Sequence, residues 1–331
     1  MVSLVSVYVI GVDLGATWIR VAISDAKGNI LGRKAEKTWK GENGEMISKQ
    51  ILTMISSLIE ETGVSDIAAV GIGSIGPIDM KKGIIIEPAN LPYKHIPLVR
   101  PISSKLNIPV YLVNDCTAAV IGEHIFGAGK GVKNLVYVTL STGIGGGAYV
   151  DGNLLFGKDG NAVEIGHIVI DYEGRLICGC KKRGHWEAYC GGANIPNFAR
   201  LLIEKMSKDK VEESLLFKLV NGDFSNLTTE VIFKAANEED ELSLHIVEEI
   251  GRLNAIGFAN IINIYDPALI TVGGSIALNN PKLTLDPIKK YIKDYVINRI
   301  PKIMLTPLGD DIVLYGAIAL ALNPSQISLC Q

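Results

Sequence analysis

Apolar residues run without a break over VYVIGV, from Val7 to Val12, a length that suits a strand buried on both faces better than a helix. Asp13-Leu-Gly-Ala-Thr follows, then a second strand from Trp18 to Ser24 and the turn DAKGN, so the pattern predicts a hairpin with a glycine-bearing tip. From Glu45 to Glu61 the residues Met46, Ile47, Ile51, Met54, Ile55, Leu58 and Ile59 share one helical face, and Gly63 stops the helix. Ile67 to Ile72 is another buried strand, ended by the Gly76-Pro77 turn, and Glu87 to Pro92 is irregular. Pro109 to Val113 is a strand that delivers Asn114-Asp115 to a helix running to Gly127.

Leu135 to Leu140 begins the pattern again. VYVTLSTGIGGGAYV, starting at Val136, aligns with VIGVDLGATWIRVAI, starting at Val9, as strand, Gly/Thr tip and returning strand. Such an echo predicts two related lobes, each with a phosphate-cradling hairpin facing one cleft. Further on, helices are expected at Asn194 to Met206, Thr228 to Ala236 and Leu244 to Asn263, with the charged run Asn237 to Glu241 as a solvated loop. A strand from Pro267 reaches Gly273-Gly274, and Asp311 to Leu322 is expected to open as a strand and continue as the alanine-rich helix GAIALAL, returning to the first lobe.

Composition narrows the class. A chain of 331 residues that is 48% hydrophobic can bury a large core, and a net charge of -3 offers no field to attract nucleic acid or an anionic membrane. The opening MVSLVSVYVIGVD has no basic region or cleavage site and reaches Asp13 too soon for a membrane span, so a cytoplasmic protein is expected. Five cysteines, at 116, 178, 180, 190 and 330, with three of them clustered, suggest a reducing compartment and a metal site.

Candidate chemistry gathers at a few points. Gly15 can let a phosphate approach, Thr17 can donate a hydroxyl and Asp13 can hold a hydrated Mg²⁺; an ordinary tight turn explains the same residues. Thr142, Gly143 and Gly145 form the second tip, while Gly273 and Gly274 can hold a nucleotide base or ribose against the backbone. Neither tip carries the Lys-Ser/Thr ending of a Walker A loop, and no helix-opening GxGxxG follows a first strand. Asp115, at a strand end and a helix start, suits both an N-cap and a catalytic base. Between Glu164 and Glu187 the chain packs four carboxylates, two histidines and two cysteines, too many acid, base and ligand groups for an ordinary surface loop.

In order, Asp13-Leu-Gly-Ala-Thr, Asn114-Asp115, Ser141-Thr-Gly-Ile-Gly-Gly-Gly, Glu164-Ile-Gly-His167, Cys178-x-Cys180 and Val272-Gly-Gly resemble the motifs of the ROK family of sugar kinases and repressors over nearly the whole chain. The resemblance implies an α/β protein of the actin-like ATPase (hexokinase-like) fold, two α/β lobes around a central cleft, with expected bounds 1–115 plus 312–331 and 116–311. It implies ATP with Mg²⁺, and a hexose phosphorylated at its 6-hydroxyl, glucose first and N-acetylmannosamine the nearest rival; the different class is a sugar sensor without turnover. It makes Asp115 the base and Asn90, Asn114, Glu164, His167 and Glu187 the hydroxyl-binding partners. A hexose or N-acetylhexosamine substrate and further copies of the chain, as dimer or tetramer, are the expected partners, with neither nucleic acid nor membrane.

The chain departs from the family pattern in places. CGCKKRGHWE puts Lys181 at a common glycine and His185 at the common third cysteine, which makes His167, Cys178, Cys180 and His185 the expected structural Zn²⁺ ligands, with Cys190 in reserve. Val163 stands where a glycine usually precedes the glutamate, and Ser141 where a glycine usually opens the second tip.

Overall fold

The computed structural model describes residues 7–88 and 90–326. Cys330 lies outside them. Among the described residues, thirteen strands form three sheets. In the first, β1 (Tyr8–Leu14), β2 (Trp18–Asp25) and β3 (Ile30–Lys37) make an antiparallel meander, and β4 (Ile67–Ser74) and β8 (Val110–Asn114) extend it in parallel, in the order β3-β2-β1-β4-β8. A small antiparallel sheet joins β5 (Ile78–Asp79), β6 (Ile84–Ile86) and β7 (His95–Pro97). The third runs β11-β10-β9-β12-β13, from β9 (Leu135–Leu140), β10 (Ile144–Val150), β11 (Asn153–Leu154), β12 (Leu269–Gly273) and β13 (Lys302–Leu305). Three strands consecutive in sequence followed by two parallel ones occur in both large sheets, so the echo of the two tips is an echo of topology.

The helices are α1 (Glu45–Thr62), α2 (Val99–Leu106), α3 (Asp115–Ile125), α4 (Glu187–Cys190), α5 (Ile195–Ile203), α6 (Lys208–Glu213), α7 (Leu215–Leu219), α8 (Thr229–Asn237), α9 (Glu241–Tyr265), α10 (Ser275–Asn279), α11 (Pro281–Tyr291) and α12 (Ile312–Leu322). The chain forms two compact units, 7–137 with 147–163 and 306–326, and 138–146 with 164–305.

In the first unit β1 is buried on both faces, which is why its sequence is continuously apolar. Ile10 and Val12 pack in the cluster that receives Ile47, Ile51, Met54, Ile55 and Leu58 of α1, whereas Val9 packs with Leu314 and Ile318 of α12. Truncating one such isoleucine to alanine costs about 2–5 kcal/mol. Helix α12 lies between the sheet and α3, and the crossing with α3 is close because a Cβ on Gly316 would collide with the Ala118 carbonyl. The compact units therefore place α3 with the first sheet, on the other side of the lobe boundary expected at 115/116.

Three other expectations change. No strand opens at Asp311: a 3-10 turn over Gly309–Asp311 leads directly into α12, and the last strand is β13. Helix α9 starts at Glu241 because Asp240 caps it, accepting from Ser243 N–H, so the charged run is partly a capping device. The N-cap of α3 is Asn114, whose Oδ1 accepts from Cys116 N–H at 2.9 Å, while Asp115 is the first helical residue.

Candidate active site and metal centre

In the first unit the carboxyl ends of three parallel strands come level, with Leu14, Ser74 and Asn114 in one row and Asp13, Gly73 and Val113 in the next. Open α/β sheets bind ligands at such ends. Asp13 is 7% exposed and accepts from Arg20 Nη1 at 2.8 Å. Burial is the largest influence on it and lifts its pKa to about 6; Arg20 opposes the rise, and the nearby negative charges of Asp115 and Asp311 reinforce it. Arg20 was not foreseen, although hairpin register places it opposite Asp13. The half-buried Asp115 also accepts from Cys116 N–H, at 2.7 Å.

The first tip is closed on itself: Gly15 N–H donates to the Trp18 carbonyl at 2.9 Å, and Thr38 Oγ1 donates to the Gly15 carbonyl at 2.7 Å. Thr17 is exposed, its carbonyl accepting from Thr38 N–H. Asn90 is exposed in the turn between β6 and β7. Asn161, also unforeseen, holds the turn after Pro77 by accepting from Ile78 N–H at 3.0 Å and donating to its carbonyl at 2.8 Å. No local pattern announces a pairing 83 residues apart.

In the second unit the residues 141–146, 164–187 and 273–274 come together. Glu187, at the first position of α4, accepts from Ile144 N–H at 2.8 Å through Oε2, and its Oε1 lies 3.3 Å from Cys178 Sγ. Two unforeseen anchors hold α4. Trp186 is fully buried and donates from Nε1 to Asn254 Oδ1 at 2.9 Å, and the Tyr189 hydroxyl donates to Asp171 and accepts from Leu176 N–H. Gly274 has φ +87°, and a Cβ there would meet the Leu140 carbonyl, so the second of the paired glycines has a packing reason as well as any ligand role. Glu164 keeps 47% of its side-chain surface open, yet the protein around it holds its pKa above the ordinary value by desolvation; His167, 3.8 Å away, opposes that rise and Glu187 adds to it.

The four expected metal ligands converge. One donor atom from each of His167, Cys178, Cys180 and His185 lies within 4.8 Å of all the others. His167 Nδ1 is 3.8 Å from Cys178 Sγ, and His185 Nδ1 is 3.2 Å from Cys180 Sγ. A tetrahedron with Zn–S and Zn–N bonds of the usual length has edges of roughly 3.3–3.8 Å, so two thiols and two imidazoles at this spacing fit Zn²⁺. Desolvation, with the neighbouring His167 and Lys182, lowers the His185 pKa and favours its neutral, ligating form. His167 Nε2 faces Glu164, the carboxylate–histidine arrangement that orients metal-binding imidazoles. Cys190 is not in this group; it is buried, and its Sγ lies 3.6 Å from the Ile250 carbonyl. Of the three residues at family glycine positions, Lys181 and Val163 have φ of +67° and +65°, whereas Ser141 does not have positive φ.

The ROK family model matches residues 9–323. A glucokinase of Pyrobaculum calidifontis is 39% identical over 312 residues, covering 94% of both chains. The structure of a ROK family glucokinase from Streptomyces griseus, in complex with glucose and AMPPNP, is similar with a TM-score of 0.77 and 31% identity, covering 95% of this chain and 99% of that one. A ROK hexokinase from Thermus thermophilus is similar with a TM-score of 0.81 and 29% identity, covering 96% and 99%. The two repeated sheets are those of the actin-like ATPase fold. With the family model matched from within β1 to just past α12, this chain is a member of the ROK family.

Proposed function

We propose that this chain is an ATP-dependent hexose kinase that transfers the γ-phosphoryl group of ATP to the 6-hydroxyl of glucose. The observation that carries the chemistry is the placing of Asp115 directly after the carboxyl end of β8, with Asn114 taking the cap of α3. A carboxylate there suits a base. Asp115 takes the proton of the 6-hydroxyl as that oxygen bonds to the γ-phosphorus, the bond to the β,γ-bridging oxygen breaks, and ADP leaves with its electron pair.

Asn90, Asn114, Glu164, His167 and Glu187 are assigned to the remaining sugar hydroxyls, which need both donors and acceptors. Gly15, Thr17, Thr142, Gly143, Gly145, Gly273 and Gly274 are assigned to the nucleotide. Bound through water to Asp13, Mg²⁺ would neutralise charge on the phosphates. Zn²⁺ held by His167, Cys178, Cys180 and His185 would fix the loop leading to Glu187, with four protein ligands and no open position. A smaller polyol leaves sugar-site groups unpaired, and each buried one costs roughly 1–3 kcal/mol, so glycerol is rejected.

No helix among the described residues is long and apolar enough to cross a membrane. We assign the protein to the reducing cytoplasm, where Cys178 and Cys180 stay thiols, and to a dimer or tetramer that light scattering measures. The test of function is a coupled assay of ADP release over glucose, mannose, fructose, N-acetylglucosamine, N-acetylmannosamine and glycerol. Glucose is expected to give the highest kcat/KM. N-acetylmannosamine as the best acceptor would move the assignment within the same chemistry, and glycerol as the best would overturn it.

A further inference from the structure

We infer that Glu187 is a positioning residue for the second glycine tip, and so ties the sugar site to the phosphoryl-donor site within the second unit. The inference rests on the kinase reading. It begins from the space at Gly143, whose φ does not lie in the left-handed region. What excludes a side chain there is Glu187: a Cβ on Gly143 would lie 2.5 Å from Oε2. That same oxygen accepts from the N–H of the next residue, Ile144, at 2.8 Å. One carboxylate oxygen therefore fills the vacancy that the glycine leaves and fixes the amide beside it.

The chain after Glu187 completes the clasp. Gly192 N–H donates to the Ser141 carbonyl at 2.8 Å and Ala193 N–H donates to the Thr142 carbonyl at 3.0 Å, so 141–144 is held by 187–193 along its length. The clasp has a firm base, because Trp186 and Tyr189, close to Glu187 in sequence, are fully buried. A sugar hydroxyl that binds Glu187 thus further restrains the carboxylate that holds the tip. Each ligand orders a carboxylate that the other needs, which is positive coupling between the two.

Three substitutions test this. Glu187→Asp withdraws the carboxylate by one methylene, Glu187→Gln keeps the reach with an oxygen that can accept from Ile144 N–H, and Gly143→Ala displaces Glu187 from the other side. Binding of AMPPNP with Mg²⁺, and separately of glucose, is measured by calorimetry, alongside zinc content and thermal unfolding. With no sugar present, Glu187→Asp is expected to weaken AMPPNP binding about tenfold or more, the range of a lost hydrogen bond to a charged group, and Glu187→Gln to recover most of it. Gly143→Ala is expected to weaken glucose as well as AMPPNP, and Gly143→Ala combined with Glu187→Asp to lose less than the product of the single effects. Should Glu187→Asp fail to fold, the Gly143→Ala arm decides alone. Unchanged AMPPNP affinity in folded Glu187→Asp, or Gly143→Ala weakening only the nucleotide, overturns the coupling and leaves the kinase reading standing. A wild-type protein that binds neither ligand overturns both.

Discussion

Asp13 and Arg20 face each other across the β1–β2 hairpin, and Arg20 Nη1 donates to Asp13 Oδ2 at 2.8 Å. Even so, the pKa of Asp13 rises to about 6 from its ordinary 3.8, because burial outweighs a single half-exposed guanidinium. A carboxylate raised in this way stabilises the fold below its unfolded pKa and loses that contribution as pH climbs through the folded value. The full loss, between about pH 4 and pH 6, is about 3 kcal/mol. Asp13→Asn is expected to remove it, so urea unfolding of wild type minus variant should decline from pH 4 to pH 7. A flat difference would show that Asp13 is ionised without strain. If Asp13 carries the Mg²⁺, kcat/KM for MgATP also falls below about pH 6.

Asp115 and Asn114 separate chemistry from capping. Asp115→Asn is expected to lower turnover by about 10²–10⁴-fold with little change in Tm, because the cap belongs to its neighbour. Asn114→Ala is expected to cost roughly 0.5–2 kcal/mol of stability, read from chemical unfolding. Near-normal turnover in Asp115→Asn would remove it from the reaction.

Metal analysis of the purified protein is expected to give one zinc per chain, with Cys178→Ser losing both the zinc and several degrees of Tm. Cys190→Ala should keep the zinc, since Cys190 sits apart from the donor group. Well under one zinc per chain in wild type, with Cys178→Ser harmless, would contradict the site.

Lys181 is exposed and left-handed, so Lys181→Gly is expected to stabilise the zinc-loaded protein by roughly 0.5–1 kcal/mol. Val163→Gly should be closer to neutral. Val163 is 8% exposed, and losing its buried side chain offsets relief of about 1–3 kcal/mol of strain. Thermal unfolding of the two variants measures the difference.

These two positions show how far the chain could be read unaided. Both stand out as departures from a motif glycine, and each has the backbone that a glycine would take without strain. Strong local patterns, such as the β1 run, the face of α1 and the repeated tip, carry their elements to within a residue or two. The candidate ligands stand out because two histidines and two cysteines crowd one short span, and their donor atoms come together in the structure. Helix α12 was harder, since it is buried nearly all round and has no polar face to show its period. Strand β13 is only four residues long. The bond from Glu187 to Ile144 spans 43 positions, and its cause is the space beside a glycine, which no sequence pattern records.

The central claim is that this chain places the γ-phosphoryl group of ATP on the 6-hydroxyl of glucose. Phosphorus–proton correlation NMR of the product from glucose, ATP and Mg²⁺ tests it most directly. The account predicts glucose 6-phosphate, with phosphorus coupled to the two C6 protons. Phosphorus coupled to the anomeric proton, or no sugar phosphate from fully folded, zinc-loaded protein, would contradict it.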